Sequence, residues 1–307
     1  MDKDELLYKN TDLDSNSDSN SKSQEKEDSP TSDSTDTKNT DTNNSIYFVG
    51  GEKGGVGKSF LSRCMLDYFI NRGWGEQLTL VEADPTIDDV SSVYGECHER
   101  VTFSDNKFAR DEPDLIIDRA ESKTVIVNLP SNVCKQFDMW ASKAGIFSDE
   151  AKEYYSDIVY FFVSDGCYRS IERFLAQLKN YSMEDLPHCL VLNPGRRTCH
   201  GDFSYLQDFK PLMKALKKYE IPVLCLPELS SSMQFKCDLD RISYREMGNV
   251  PNQQFSFRQN IRTFLSEVDS LFDEIFPEAI SSPQGLLEIT KNQDQYIKKG
   301  KLPPNVI

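Results

Sequence analysis

Short apolar runs recur along the chain between residues 46 and 229, and amphipathic stretches separate several of them. The runs are rich in Val, Ile, Leu and Phe and are bounded by Gly, Pro, Asn or Asp, a pattern typical of strands buried on both faces of a sheet. They predict six strands with short turns at some of their ends, at 46–49, 77–84, 123–131, 157–164, 188–195 and 222–229. Strands of this kind need a layer of helices on each side.

Apolar residues recur at helical spacing in the stretches between and after these runs. The spacing predicts helices at 60–70, 170–181, about 205–219 and 257–276, whereas the polar stretch 97–122 predicts only a short helix. Alternation of strands and helices predicts an α/β fold with a doubly wound, mostly parallel sheet and right-handed connections, in three α/β/α layers.

Acidic residues are concentrated at the start of the chain. Residues 1–44 hold twelve Asp or Glu and five Lys, a net charge of −7, and have few apolar residues, so we predict that this segment is disordered. The predicted folded domain spans 45–280, and a C-terminal tail spans 281–307.

The rest of the chain carries −8 of the total charge of −15. An acidic body disfavours non-specific binding to DNA or to anionic lipid, which needs clustered Lys and Arg. Non-specific DNA binding would require Arg241, Arg245, Arg258 and Arg262 to lie together on one face of a dimer. No apolar stretch is long enough for a membrane span or a signal peptide, so we predict a cytoplasmic protein that does not bind membranes.

Residues 50–59, Gly-Gly-Glu-Lys-Gly-Gly-Val-Gly-Lys-Ser, lie between the first predicted strand and the first predicted helix. Glycines let a loop turn several backbone N–H groups inward, and a helix N-terminus attracts anions, so this stretch predicts a phosphate-binding loop. In that role Lys58 would contact the phosphates of a nucleoside triphosphate and the Ser59 hydroxyl would bind Mg²⁺. The alternative is a glycine-rich turn with solvated lysines.

The second lysine, Lys53, gives the motif Lys-Gly-Gly-Val-Gly-Lys-Ser, which resembles the deviant Walker A motif of the ParA/MinD family of P-loop ATPases, the CbiA/ParA-type group with a signature lysine. The resemblance implies a P-loop NTPase fold, ATP and Mg²⁺ as cofactors, and an ATP-dependent homodimer in which Lys53 reaches the nucleotide of the other subunit. The residues implied to contact the nucleotide are Lys53, Gly54, Gly55, Val56, Gly57, Lys58, Ser59 and Phe60, with Asn193 and Pro227 near the adenine.

Two strand ends carry candidate metal and catalytic groups. The family has Asp-x-Asp after its second strand; here Glu82 holds the first position and Asp84 the second, so the resemblance implies that Asp84 orients the attacking water. Asn128 stands where the family has a switch Asp, and its neutral amide puts metal affinity or turnover in doubt. The predicted metal-site residues are Ser59, Asp84 and Asn128, and the predicted catalytic residues are Lys53, Lys58 and Asp84. Asp84 can also be read as the N-cap of a segment beginning near Ile87.

Asn193 ends the fifth predicted strand and has two readings. By the resemblance it reads the adenine edge, and from its neighbours Pro194 and Gly195 it is equally a turn-forming Asn.

The leading functional hypothesis is a weakly hydrolysing ATPase switch that dimerises around ATP, responds to an activating partner or cargo adaptor, and positions plasmid or other cargo. A nucleotide-gated binding module with little hydrolysis and an ATP-dependent ligase or synthase on the same fold remain alternatives. An iron–sulfur reductase would need Cys134 together with Cys97 or Cys167.

Overall fold

The computed structural model describes residues 44–84, 90–95, 98–106, 108–180, 186–196, 203–251 and 253–276. All of them belong to one compact unit, Asp41–Ile307. Apart from Asn44, the predicted disordered segment 1–44 lies outside the described residues, as do the predicted tail 281–307 and a capped segment starting near Ile87.

Seven strands form one sheet in the order β3-β2-β4-β1-β5-β6-β7, and every described strand pair is parallel. The strands are β1 (Ile46–Gly50), β2 (Leu78–Glu82), β3 (His98–Arg100), β4 (Thr124–Asn128), β5 (Ile158–Ser164), β6 (His188–Leu192) and β7 (Val223–Cys225). Strand β1 lies in the middle, between β4 and β5, so its carboxyl end faces a crevice where loops from both sides of the sheet meet.

Helices cover both faces of this sheet. They are α1 (Lys58–Asn71), α2 (Leu115–Ala120), α3 (Cys134–Lys143), α4 (Asp149–Tyr154), α5 (Tyr168–Asn180), α6 (Lys210–Tyr219), α7 (Ser231–Asp240), α8 (Tyr244–Met247) and α9 (Phe255–Ile275). Short 3₁₀ turns lie at Gly75–Gln77, Glu112–Asp114, Pro194–Arg196 and Ser204–Asp208. No helix in the described part of the chain is long and apolar enough to cross a membrane.

Alternate residues of β1 point to two separate cores. Tyr47 and Val49 pack with α1 and with α7 to α9, and Ile46 and Phe48 pack with α2, α3, α5 and α6 on the opposite face. The period-2 alternation of a strand therefore places one strand between two apolar layers, which explains why its sequence is apolar throughout. The predicted doubly wound, three-layer α/β/α fold is confirmed.

One strand, β3, and four helices, α3, α4, α7 and α8, had no prediction. Strand β3 is a three-residue edge strand of polar residues, His-Glu-Arg, and gives no apolar signal. Helix α8 begins with a capping box, in which Ser243 Oγ accepts from Glu246 N–H at 3.1 Å and the Glu246 carboxylate accepts from Ser243 N–H at 2.8 Å. Helix α7 is capped by Ser230, whose hydroxyl accepts from the Met233 N–H.

The last residue of β1, Gly50, has no space for a side chain. Tyr160 of β5 is fully buried, stacks on His188, and holds its hydroxyl group where a Cβ atom on residue 50 would lie. Gly50 is therefore needed for close packing between the two strands at the point where the glycine-rich loop begins.

We expect Gly50→Ala to lower the free energy of unfolding by about 1–3 kcal/mol or more, because the added methyl group overlaps the Tyr160 ring and hydroxyl in a packed core. Gly95→Ala is the matched control, since a Cβ atom at that exposed position meets nothing within 4 Å. Chemical denaturation of the two variants measures the difference. Equal stabilities would contradict the steric role of Tyr160.

Candidate functional site

The glycine-rich loop, residues 51–57, connects the end of β1 to the first residue of α1. Gly55 and Gly57 have φ angles of +76° and +105°, a region that residues with a side chain rarely adopt. Helix α1 begins at Lys58, and its first turn closes with a 3.0 Å hydrogen bond from the Leu61 N–H to the Gly57 carbonyl. Strand, glycine loop and helix thus have the arrangement of a P-loop, as the sequence predicts.

Lys58 lies at the centre of the site. Its Nζ donates a 2.8 Å hydrogen bond to Ser131 Oγ, in the loop after β4. Burial lowers the pKa of Lys58, and the nearby carboxylates of Asp84 and Glu52 oppose that change. The fold therefore brings Asp84, predicted from the second strand, into the electrostatic field of Lys58.

Lys53 forms an ion pair with Asp165, and its Nζ also donates to Cys167 Sγ at 3.3 Å. The Asp165 side chain is only 4% exposed, whereas that of Lys53 is 38% exposed. Burial favours the neutral form of Asp165, but hydrogen bonds from Lys53 and Cys167 hold its pKa below the usual range. The hydrogen bond to Asp165 raises the pKa of Lys53. The signature lysine is thus engaged within its own chain.

A polar cluster lies beneath the start of α1. Asn128 Nδ2 donates to Glu82 Oε1 at 2.6 Å and makes a long 3.4 Å contact with Ser59 Oγ. On its other side, Asn128 Oδ1 accepts from Ser62 Oγ at 3.3 Å. Glu82 and Asn128 are adjacent in the register of β2 and β4, and both are buried. The fold thereby joins the residues at both predicted switch strands to the loop serine.

These residues fit a magnesium ion that arrives with a nucleotide. Among the described residues, no group of three or more His, Cys, Asp or Glu gathers as a metal cage. Mg²⁺ in nucleotide sites is typically held by one or two protein oxygens, substrate phosphates and waters, so a cage is not required. Ser59 has a hydroxyl group at the start of the helix. The Glu82 carboxylate lies near that hydroxyl group, and the Asp84 carboxylate lies near Lys58.

Glu52 anchors the loop to α3. Its Oε1 accepts the backbone N–H of Cys134, the first residue of that helix, at 3.2 Å. Burial raises the pKa of Glu52, although this hydrogen bond opposes the change. Cys134 and Cys167 therefore both lie near the loop, and the third cysteine considered for an iron–sulfur cluster, Cys97, is outside the described residues.

Asn193 holds the loop from the side of β6. Its Nδ2 donates to the Val56 carbonyl at 3.0 Å, and its Oδ1 accepts from the Gly195 N–H at 3.1 Å. The Asn193 side chain is 2% exposed, and its hydrogen bond to the Gly195 N–H is that of a turn-forming asparagine. Recognition of adenine by Asn193 stays a prediction. Val56 itself is buried.

The two remaining predicted contact residues are Phe60, in α1, and Pro227. The Phe60 ring packs against Tyr244 and Phe264 in the core, which leaves its backbone as the group that could meet a nucleotide. Pro227 follows β7 and lines an open groove of about 640 Å³ with residues of α9, among them Arg262 and Glu267.

Three contacts around the loop were missed in the sequence: Lys58 with Ser131, Lys53 with Asp165, and Glu52 with the Cys134 N–H. Ser131 and Asp165 share one signal, since each lies within three residues of the carboxyl end of a buried strand, where ligands of parallel sheets bind. Glu52 had no such signal, because it stands out only as a departure from the glycine of the strict motif.

Comparisons with known proteins find limited similarity. A scan against protein-family models finds no match. A 55-residue stretch, 18% of this chain, is 46% identical to Protein MobD of Acidithiobacillus ferrooxidans, and it spans 23% of the length of that protein.

Solved structures with a similar fold include a nucleotide-binding protein from Archaeoglobus fulgidus in complex with ADP, at a TM-score of 0.42 and 14% identity, covering 64% of this chain and 86% of that chain. The cell-division protein MinD of Aquifex aeolicus is similar at a TM-score of 0.41 and 12% identity, covering 73% of this chain and 97% of that chain. In its complex with MinC the TM-score is 0.42 at 12% identity, with 73% and 96% covered.

We expect Asn193→Ala to lower the free energy of unfolding without nucleotide by about 1–3 kcal/mol, because it leaves the Val56 carbonyl buried without this donor. Asn249→Ala, at an exposed position, is the matched control and should change stability by no more than about 0.5 kcal/mol. Denaturant titration of both variants measures the effect. Equal stabilities would mean that the amide does not anchor the loop.

Proposed function

We propose that the protein binds ATP with Mg²⁺ at the glycine-rich loop and acts as a weakly hydrolysing ATPase switch. The observation that carries the proposal is the position of Lys58, a half-buried cation on the first residue of a long helix, after two glycines with positive φ. A helix N-terminus and an ammonium group aimed at one space suit the polyphosphate of a nucleotide.

In the proposed site, Lys58, Ser59 and Asp84 each have a different role. Lys58 exchanges Ser131 Oγ for phosphate oxygens, and Ser59 offers its hydroxyl to the metal ion. The bound magnesium would screen the phosphate charge and favour the leaving group. Asp84 holds the attacking water by accepting its proton in a hydrogen bond, close enough to Lys58 for their charges to interact.

Dimerisation around ATP is the second part of the proposal. It is supported by the resemblance of the loop to the signature-lysine motif and by the partial exposure of Lys53 at the rim of the site. To reach the nucleotide of another subunit, Lys53 must leave Asp165, so the ion pair within the chain competes with the contact between chains. ATP binding thus controls assembly through the choice of anion that Lys53 contacts.

The cargo and partner follow the same family resemblance: an activating protein or cargo adaptor, in the positioning of a plasmid or another cargo inside the cytoplasm. The charge of the chain favours neither DNA nor membranes as the direct ligand. Arg245 is paired with Asp269 at 2.7 Å, so it is not available as an isolated positive charge.

A nucleotide-gated binding module with little hydrolysis is the second candidate, and one observation favours it. The Asn128 side chain turns its NH₂ group, not its oxygen, toward Ser59 and Glu82, so it provides no anionic oxygen at the switch position. The two candidates differ in whether phosphate release exceeds that of a Lys58→Ala variant. No specific observation among the described residues favours the ligase or synthase alternative.

We expect Lys58→Ala to weaken ATP binding about tenfold or more, since a charged hydrogen bond to phosphate contributes about 1.5–3 kcal/mol. Lys179→Ala, at an exposed position of α5, is the control and should bind as the wild type does. Calorimetric titration with MgATP measures both variants. Wild-type protein that shows no binding of ATP or GTP would overturn the proposed function.

We expect Lys53→Ala to keep ATP binding but to lose ATP-dependent dimerisation, as measured by light scattering. Asp165→Asn should have the opposite effect and strengthen the dimer about two- to fivefold, because it removes a competing ion pair of about 0.2–1 kcal/mol. The asparagine oxygen can still accept the Cys167 N–H that Asp165 Oδ1 accepts at 3.2 Å. Unchanged dimerisation in both variants would remove Lys53 from the interface.

A further inference from the structure

The carboxylate of Glu82 and the hydroxyl of Ser59 are both within reach of one nitrogen atom, Asn128 Nδ2. That nitrogen lies 2.6 Å from Glu82 Oε1 and 3.4 Å from Ser59 Oγ. The two oxygens are therefore separated by no more than the sum of these distances. A cation bound to Ser59 at about 2.1 Å, through a water that donates a hydrogen bond of about 2.7 Å, would reach a carboxylate at that range.

The orientation of the Asn128 amide follows from its neighbours. The NH₂ group of Asn128 faces Glu82, where it donates a hydrogen bond to Oε1. The amide oxygen then faces away from Ser59 and accepts from Ser62 Oγ at 3.3 Å. In this orientation Asn128 presents donors, and not an acceptor, to the position at which a metal-bound water would lie.

We propose that Glu82, and not Asn128, is the buried switch-strand carboxylate that orients the water shell of the divalent cation, with Asn128 as the positioning residue that holds Glu82 beside Ser59. The inference rests on the proposed nucleotide-binding function and deepens it. It changes the predicted metal set by adding Glu82 and by giving Asn128 a supporting role.

The amide at position 128 allows the Glu82 carboxyl group to ionise. With a second carboxylate in that place, two acids would lie 2.6 Å apart and would share one proton, because like charges at that distance cannot both ionise. The Glu–Asn pair instead has a single ionisable group and a short hydrogen bond that fixes its direction. Asn128 and Glu82 each stand where the ParA/MinD family has Asp, and the two differences are therefore complementary.

The test is a Mg²⁺ titration of the full chain with a non-hydrolysable ATP analogue, followed by calorimetry. We expect Glu82→Gln to raise the Mg²⁺ concentration needed for half-saturation about tenfold, while binding at saturating Mg²⁺ stays close to wild type. Glu121→Gln, an exposed acid, is the control and should leave the Mg²⁺ dependence unchanged. A Glu82→Gln variant with wild-type Mg²⁺ dependence would overturn the inference.

The exchanged variant Glu82→Gln/Asn128→Asp keeps the number of acids and amides and guards against a folding defect in the single variant. We expect it to recover Mg²⁺ affinity to within about threefold of wild type. A double variant no better than Glu82→Gln alone would overturn the claim that a carboxylate is what this pair provides. If wild-type protein binds no nucleotide, the proposed function fails first, whereas wild-type binding with an unaffected Glu82→Gln variant refutes this inference alone.

Discussion

The site depends on a central strand that is buried on both faces and must turn sharply where it ends. Strand β1 packs into two cores and is paired on each edge, so its carboxyl end is fixed relative to β4, β5 and β6. From that fixed point the loop is tied by contacts of Lys58, Lys53 and Val56 to three groups that follow different strands. A loop held at several points needs little reorganisation to receive a ligand, which lowers the cost of binding.

The two lysines of the loop have opposite surroundings. Lys58 is half-buried at a helix N-terminus, where burial lowers its pKa and where, in the proposed function, a polyphosphate would supply favourable contacts. Lys53 lies at the rim and already has an acidic partner in Asp165. In the proposed function, Lys58 would bind a nucleotide in its own chain, whereas Lys53 would have to leave Asp165 before it could contact another subunit. This asymmetry is what a switch that couples loading to assembly requires.

Sequence alone was sufficient for the long buried strands and for the glycine-rich loop between β1 and α1, because both leave local signals: continuous apolar runs, and glycines beside lysine and serine. It was insufficient for β3, whose three polar residues are a strand only because β2 offers an edge for pairing. The sequence also did not predict the partners of the two lysines. Ser131 and Asp165 come close to them only because of the order of the strands in the sheet, which no short motif encodes. The orientation of the Asn128 amide is set by Glu82, from another strand, and so emerged only in three dimensions.

The ion pair between Lys53 and Asp165 also bears on how ionic strength affects assembly. Dissolved salt weakens contacts between partly exposed charges, and it would weaken this pair as well as a contact with a phosphate in another subunit. In the proposed dimer Lys53 gives up one anion and gains another, so the number of ion pairs that it makes is conserved. Screening then acts on both sides of the equilibrium, and this lysine makes self-association less sensitive to cellular salt than a newly formed charge contact would.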